Sequence, residues 1–522
     1  MTRANIEPIS ESIPAERQLD SRHYGVHPYF TRRPANVVRA YIERFSSEGD
    51  TVLDPFGGTG VTAIEAFLLG RNAIHNDLNP FANFMARCIA DTTLESTLPL
   101  WEAFERIRYA CAKPLKEIEA SEKAAERWLT RVPLPANIRL PRTSDAEFYY
   151  EMFTPGQLAG LAVIKQQIEQ ESPGVVRDLL LLSWSASLGK LNKTFLSAKG
   201  RAASRGGSSI FSIYRYKLAS AFVELPIWET YEGRFQNVLA AKKEVLLIKR
   251  YREQTYPGCE PLDSRRSFRV LASDAAALDH EIDPSTVDYV FTDPPYGAFI
   301  SYLDLSILWN HWLGFRVSDE AAENEAIVGG ERGHTEEHYK ERLAASIRTA
   351  LRLLRPDRWI SIVFQHWDLT YFESILETAE DGGAELKAAI TQTGDVIWSM
   401  HKKKNSASVL AGELILTFYK RKKTRERGSL PTASRAGSET ILSKVFDECL
   451  GTETKSFTSE ALFNRLVIEL WHRRALGCLN LDRRSFATNL EERGWSYDPK
   501  AHIWSYKAND RRPAGVASLF EQ

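Results

Sequence analysis

Cysteine is scarce in this chain, and the few residues present are scattered. Cys88, Cys111, Cys259, Cys449 and Cys478 form no C-x-x-C pair, which argues against a zinc site or a disulfide framework and for reduced thiols. Long apolar runs are missing as well. "LLLLSWSASL" falls well short of the roughly 20 residues that a membrane span needs. Nor is there an excess of charge of either sign. With 67 basic and 68 acidic residues the formal charge is −1, so any surface for a polyanion must come from local patches. The opening "MTRANIEPISESIPAER" is too polar for a secretory signal. A cytoplasmic protein with no membrane partner is the expectation.

What is present has a rhythm. The length of 522 residues suggests roughly two to four domains. Over residues 1–90, a helix from about Pro34 to Phe45 precedes the apolar strand "TVLD", a glycine turn, the helical run "VTAIEAFLLGR", the strand "NAIHND" and a second helix. Alternation of this kind implies parallel crossovers and an open α/β sheet. Residues 91–266 break the rhythm with long amphipathic helices. They are too many for a loop and read as an inserted helical subdomain. Strand and helix alternate again over 267–424, through "SFRVLASD", "VDYVFTDPP", "RWISIVFQH" and "GELILTFYK". A basic, then Ser/Gly/Pro-rich linker is expected over 425–455. Residues 456–522 read as a helix capped at Thr458 or Ser459 and two aromatic strands around "DPKA", a small winged-helix-like domain.

The first strand runs directly into "LDPFGGTG", residues 53–60. Glycines there let backbone approach a ligand, and the following helix presents its positive end. Asp77 closes the next strand nineteen residues after Gly58, near the roughly 20-residue offset of an acid that caps ribose hydroxyls. The spacing is not G-x-G-x-x-G and no P-loop lysine follows Gly60, which argues against NAD and ATP. A cofactor with one nucleoside and no phosphates fits better.

Asp293, Pro294, Pro295 and Tyr296 end a buried strand in "VFTDPPYG". Together with "DPFGGTG" and "NDLNP", this stretch resembles the amino-group DNA methyltransferases, which methylate adenine N6 or cytosine N4 with S-adenosylmethionine. The resemblance covers residues 23–90 and 267–420. It implies a Rossmann-like class I methyltransferase fold, a mixed seven-stranded sheet flanked by helices, and no metal. The chemistry suits the residue types. An exocyclic amine is a poor nucleophile, and the Asp293 carboxylate with the Pro294 carbonyl would accept its two hydrogens. The prolines stiffen those acceptors, and Tyr296 would stack on a base swung out of the duplex.

By resemblance, Asp54 lies near the methionine amino group, and Pro55, Phe56, Gly57, Gly58, Thr59 and Gly60 line the cofactor. Asp77 takes the ribose and Asp274 the adenine edge. His27 and Pro28, in "HPYFTRRP" (27–34), belong to a segment that closes over the methionine moiety. Tyr302 and Asp304 are candidates for the base pocket. Arg201, Arg205 and Arg215, in a loop rich in glycine and aromatics, and Lys402 and Lys403 in "HKKKNS" are candidate contacts to DNA phosphates. The expected substrate is double-stranded DNA, methylated at adenine N6 because position 293 is Asp rather than Ser. The resemblance also implies a bacterial restriction or defence setting with a partner nuclease. Cytosine N4, guanine N2 of RNA, and an idle DNA-binding subunit are the alternatives.

Overall fold

Short apolar strands build the central sheet, and helical segments connect its first six in sequence. The computed structural model describes residues 6–16, 21–196, 207–220, 223–255, 260–297, 300–392, 413–422, 440, 444, 456–476, 481, 483–499, 501 and 503–506. Seven strands form the sheet: β1 (Thr51–Asp54), β2 (Asn72–Asn76), β3 (Phe268–Leu271), β4 (Val287–Thr292), β5 (Leu354–Phe364), β6 (Ala384–Gln392) and β7 (Glu413–Lys420). Their spatial order is β3-β2-β1-β4-β5-β7-β6. Only β7 is reversed, running antiparallel to both β5 and β6. This is the Rossmann-like methyltransferase fold expected from the sequence.

Both faces of the sheet are covered, as a parallel sheet requires. Side chains alternate between the two cores with the two-residue period of a strand. Val52, Tyr289, Trp359, Val363 and Ile415 enter one core, and Leu53, Val290, Ile360, Ile362 and Leu416 the other. The first core is covered by α1 (Ala35–Phe45), α2 (Val61–Leu68) and α3 (Pro80–Ala90). The long helices α4 (Leu98–Glu119), α5 (Glu122–Leu129), α6 (Pro155–Glu169), α7 (Val175–Leu188) and α8 (Ile227–Thr255) extend it. A capping box joins Thr154 and Gln157 at the start of α6, and Phe104 stacks on Phe235 with ring centroids 3.8 Å apart. After β4 come α9 (Ile307–Leu313), α10 (Glu336–Leu353) and α11 (Leu369–Asp381), the last two on the second core.

The C-terminal segment carries β8 (Ser456–Thr458), α12 (Ser459–His472), α13 (Arg483–Glu492), β9 (Trp495–Asp498) and β10 (Ile503–Tyr506). Thr458 caps α12, accepting from the Ala461 N–H at 3.2 Å. The strands pair in the order β8-β10-β9. Leu462, Phe463 and Leu466 of α12 share the second core with Phe372 and Ile375 of α11. The segment is thus welded to the sheet rather than tethered beside it. Leu466 is fully buried, so Leu466→Ala should cost about 2–5 kcal/mol, read from the denaturant midpoint. A cost near zero would contradict this packing.

A buried charge cluster fixes the N-terminal segment to the helices. Glu65, fully buried in α2, accepts from Tyr24 Oη at 2.7 Å and from Arg39 Nε at 2.7 Å. It also lies 3.5 Å from His23 Nε2. His23 bonds Glu244 of α8 through its ring Nδ1 and through its backbone N–H. Burial alone would lower the His23 pKa, but the hydrogen bonds and charges of Glu244 and Glu65 raise it. A raised folded pKa adds stability that is full below the unfolded value and is lost as pH rises through the folded one. Accordingly, the Tm deficit of His23→Gln should be larger at about pH 6 than at about pH 8.5. An equal or larger deficit at the higher pH would contradict it.

Candidate active site

β1 and β4 are neighbours in the sheet, with Val52 opposite Tyr289 and Leu53 opposite Val290. Their carboxyl ends therefore deliver the glycine turn and the Asp293–Tyr296 stretch side by side, where the direction of strand progression reverses. In open α/β sheets that reversal point leaves a crevice for ligands. Here it is a cleft of about 100 Å³, partly open to solvent. The turn lines it with Pro55, Phe56, Gly57, Gly58 and Thr59, and Asp54, Asp77, Asp274 and Asp293 lie around it.

Each of these elements is held by local chemistry. Asp77 accepts from the Gly58 N–H at 2.7 Å and the Asn79 N–H at 2.8 Å. Its link to the turn is thus direct, with Gly58 at φ +51°. Asn76 joins three segments: its Nδ2 donates to Pro55 O and Ser273 O, and its Oδ1 accepts from the Ser273 N–H at 3.0 Å. Asp274 caps a short helical turn, accepting from the Ala276 N–H at 3.0 Å, and pairs with Arg342 of α10. Tyr339 Oη donates to Pro295 O. Asn79 links Tyr29, Ser306 and Asn310 beneath the cleft.

The cleft is acidic and partly desolvated. Burial pushes Asp54 up to about 7, opposed by hydrogen bonds from Thr62 and the Phe56 N–H. It pushes Asp77 up to about 6 and Glu325 up to about 8. Such a set favours a cationic ligand, whose charge would offset the cost of ionising buried acids. Among the described residues no group of three or more His, Cys, Asp or Glu side chains could hold a metal ion.

Arg33 is the feature that sequence reasoning missed. Its Nη2 donates to Asp293 Oδ1 at 2.9 Å, and its Nε to Oδ2. Nη2 also reaches the Tyr296 hydroxyl, and Nη1 pairs with Glu413 at the start of β7. Tyr296 Oη donates to Asp293 Oδ1 at 2.5 Å. The only hint in the chain was the basic "TRRP" preceding α1. Glu325 was equally silent, since it stands in an unremarkable loop.

Several other expectations are corrected. His27 and Pro28 do not line the cleft. His27 is buried against Phe81 and Trp309, and its ring Nδ1 is 2.7 Å from Pro28 O. Tyr29, Thr31, Arg32 and Arg33 line the cleft in their place. Gly60 also stands outside the lining. A β-carbon there would lie 2.8 Å from Ala86 Cβ, so its role is the close approach of α2 to α3. Tyr302 lines the cleft. Asp304 instead braces the turn at Glu331, accepting its N–H at 2.9 Å. Trp309 is fully buried in the core, as is Pro294 within its own stretch. Arg215 is paired with Asp145. Arg201, Arg205, Lys402 and Lys403 lie outside the described residues.

Against known proteins, the family pattern described as DNA methylase, covering N6 and N4 methyltransferases, matches residues 8–84. The Type II methyltransferase M.MjaII of Methanocaldococcus jannaschii is 31% identical over 67 residues, 13% of this chain and 13% of that protein. The Type II methyltransferase M.MjaI of the same organism is 46% identical over 57 residues, 10% of this chain and 19% of that protein.

Residues 8–84 are thus similar to the N6/N4 DNA methylases.

The aligned stretches span less than a fifth of each of these relatives, and the family match spans β1, the glycine turn and β2. Among solved structures, the rRNA methyltransferase aviRa from Streptomyces viridochromogenes aligns over 65% of this chain and 76% of that chain, at 12% identity and a TM-score of 0.24. A score that low carries no weight, and the fold assignment rests on the strand order.

The 55–60 turn tolerates substitution unevenly. A β-carbon at Gly57 would lie 2.2 Å from the ring of buried His75, whereas at Gly58 the nearest atom is 3.8 Å away. Gly57→Ala should cost about 1–3 kcal/mol through overpacking. At Gly58 only the left-handed backbone resists, about 1–2 kcal/mol. Thermal unfolding of Gly57→Ala with an unchanged Tm would contradict the crowding.

Proposed function

We propose that this chain transfers a methyl group from S-adenosylmethionine to an exocyclic amine of a DNA base, adenine N6, in a restriction or defence setting with a partner nuclease. The observation that carries the reading is the shared cleft, with the glycine turn after β1 beside the Asp293 stretch after β4. When bound, S-adenosylmethionine supplies an electrophilic methyl on a cationic sulfonium. The residues present fit such a molecule, because the cleft sets buried acids around a glycine turn with no phosphate cradle.

In this reading Asp77 holds the ribose hydroxyls while the Gly58 N–H keeps it oriented. Asp274 faces the adenine, and Asp54 the ammonium group. Asp293 accepts one amine hydrogen of the target base and the Pro294 carbonyl the other. Both draw the nitrogen lone pair out of conjugation with the ring. Placement of that nitrogen governs the rate, since correct orientation supplies much of the barrier reduction in group transfer. The base must leave the duplex to reach Asp293, with Tyr296 as its stacking partner. The helical insertion and the C-terminal segment are the candidate DNA-facing parts in this reading.

Two outcomes follow. Asp293→Ala should abolish transfer from labelled S-adenosylmethionine to DNA from an unmethylated host while leaving cofactor binding intact. Mass spectrometry of the wild-type product should show N6-methyladenine. N4-methylcytosine would reassign the base, and an active Asp293→Ala variant would remove Asp293 from the chemistry. Separately, the acids raised by burial must ionise to meet a cation, so binding should release protons. Affinity for S-adenosylmethionine should therefore rise between about pH 6 and about pH 8.5. Calorimetry in buffers of different ionisation enthalpy would show this, and an affinity that falls with pH would contradict it.

A further inference from the structure

We propose that Arg33 is a positioning residue for Asp293, leaving its carboxylate one open acceptor direction and aiming that direction at the incoming amine. The inference rests on Asp293 being the amine acceptor. A carboxylate offers roughly four acceptor positions. Arg33 Nη2 and Tyr296 Oη occupy Oδ1, and Arg33 Nε occupies Oδ2. Among the described residues, what stays open is the second position on Oδ2. A free aspartate at a strand end would sample several rotamers and present any of its lone pairs. Here the carboxylate plane is fixed by a two-point grip.

The grip is itself anchored. Glu413 takes the opposite end of the guanidinium at Nη1, so the planar fork is held on two sides by acids on separate strands, β4 and β7. All three side chains are mostly buried, at 13% exposure for Arg33, 22% for Asp293 and 15% for Glu413. In that setting a charge pair is screened less by solvent. The backbone that delivers Arg33 is constrained too. Arg33 precedes Pro34, which restricts it to extended conformations, and Pro34 opens α1. Arg32, the residue before it, donates to Tyr24 O and His27 O. A lysine could not reproduce this arrangement, because an ammonium is a point charge without a fork.

Measuring kcat, KM for DNA, S-adenosylmethionine affinity and Tm for Arg33→Ala, Arg33→Lys and Glu413→Gln tests the idea. Arg33→Ala should lower kcat by about 10²-fold, the cost of a misplaced reacting group, with cofactor affinity close to wild type and a lowered Tm, since two buried carboxylates lose their partner. Added guanidinium ion should restore part of that kcat, Arg33→Lys should stay impaired, and Glu413→Gln should fall between. A kcat at or above wild type in Arg33→Ala would overturn the proposal, since the arginine would then merely fill the amine's place. So would a loss seen only in Tm or cofactor affinity, without guanidinium rescue, because the role would then be structural. A wild-type chain that methylates no DNA would overturn the underlying reading of the site and this proposal with it.

Discussion

The lateral pairing of β1 with β4 is the constraint on which everything else depends. These strands are far apart in sequence, yet a parallel register of Val52 on Tyr289 and Leu53 on Val290 brings their carboxyl ends level. Each strand then breaks at that end: β1 into a glycine turn that starts α2, β4 into two prolines that cannot continue a ladder. The breaks leave a crevice rather than a loop-covered edge. Asn76 keeps it open by tying the end of β2 to the turns that follow β1 and β3. The sheet's cores above and below then make that geometry stiff, since α10 and α11 brace one face and α1 to α3 the other.

Charge completes the site. Asp54, Asp77, Asp274, Asp293 and Glu325 surround one cleft, and burial holds three of them above the usual carboxylate range. Carboxylates concentrated in this way repel one another unless something positive is near. Arg342 answers Asp274 and Arg33 answers Asp293, while Asp77 accepts from the Gly58 and Asn79 N–H groups.

What the sequence disclosed follows from how local each device is. The glycine turn, Asp77 and the Asp293–Tyr296 stretch are legible because each is a run of a few residues on one strand end, with a spacing that one strand–helix–strand unit dictates. The mixed seven-stranded sheet came only through resemblance, and its strand order and reversed β7 came from the structure alone. Arg33 was hidden because its meaning depends on Asp293, 260 residues away. Glu325 acquires its role from a loop that folds back over the cleft. Gly60 was misread for a physical reason: in one turn, Gly58 and Gly60 both have positive φ, but only contacts show that Gly60 serves helix packing. His27 was misread because a histidine in a polar-looking segment turned out to sit among Phe81 and Trp309. Asp304, expected at the base pocket, instead accepts from the Glu331 N–H.

A crystal structure with the nonreactive sulfonium analogue sinefungin or with S-adenosylhomocysteine tests the central claim most directly. The ligand should lie against the 55–59 turn, its ribose on Asp77, with the sulfur of S-adenosylhomocysteine or the amine-bearing carbon of sinefungin toward Asp293. Density instead in the separate surface cleft between Asn83, Arg87, Arg265 and Phe315, with the β1–β4 crevice empty, would contradict the account.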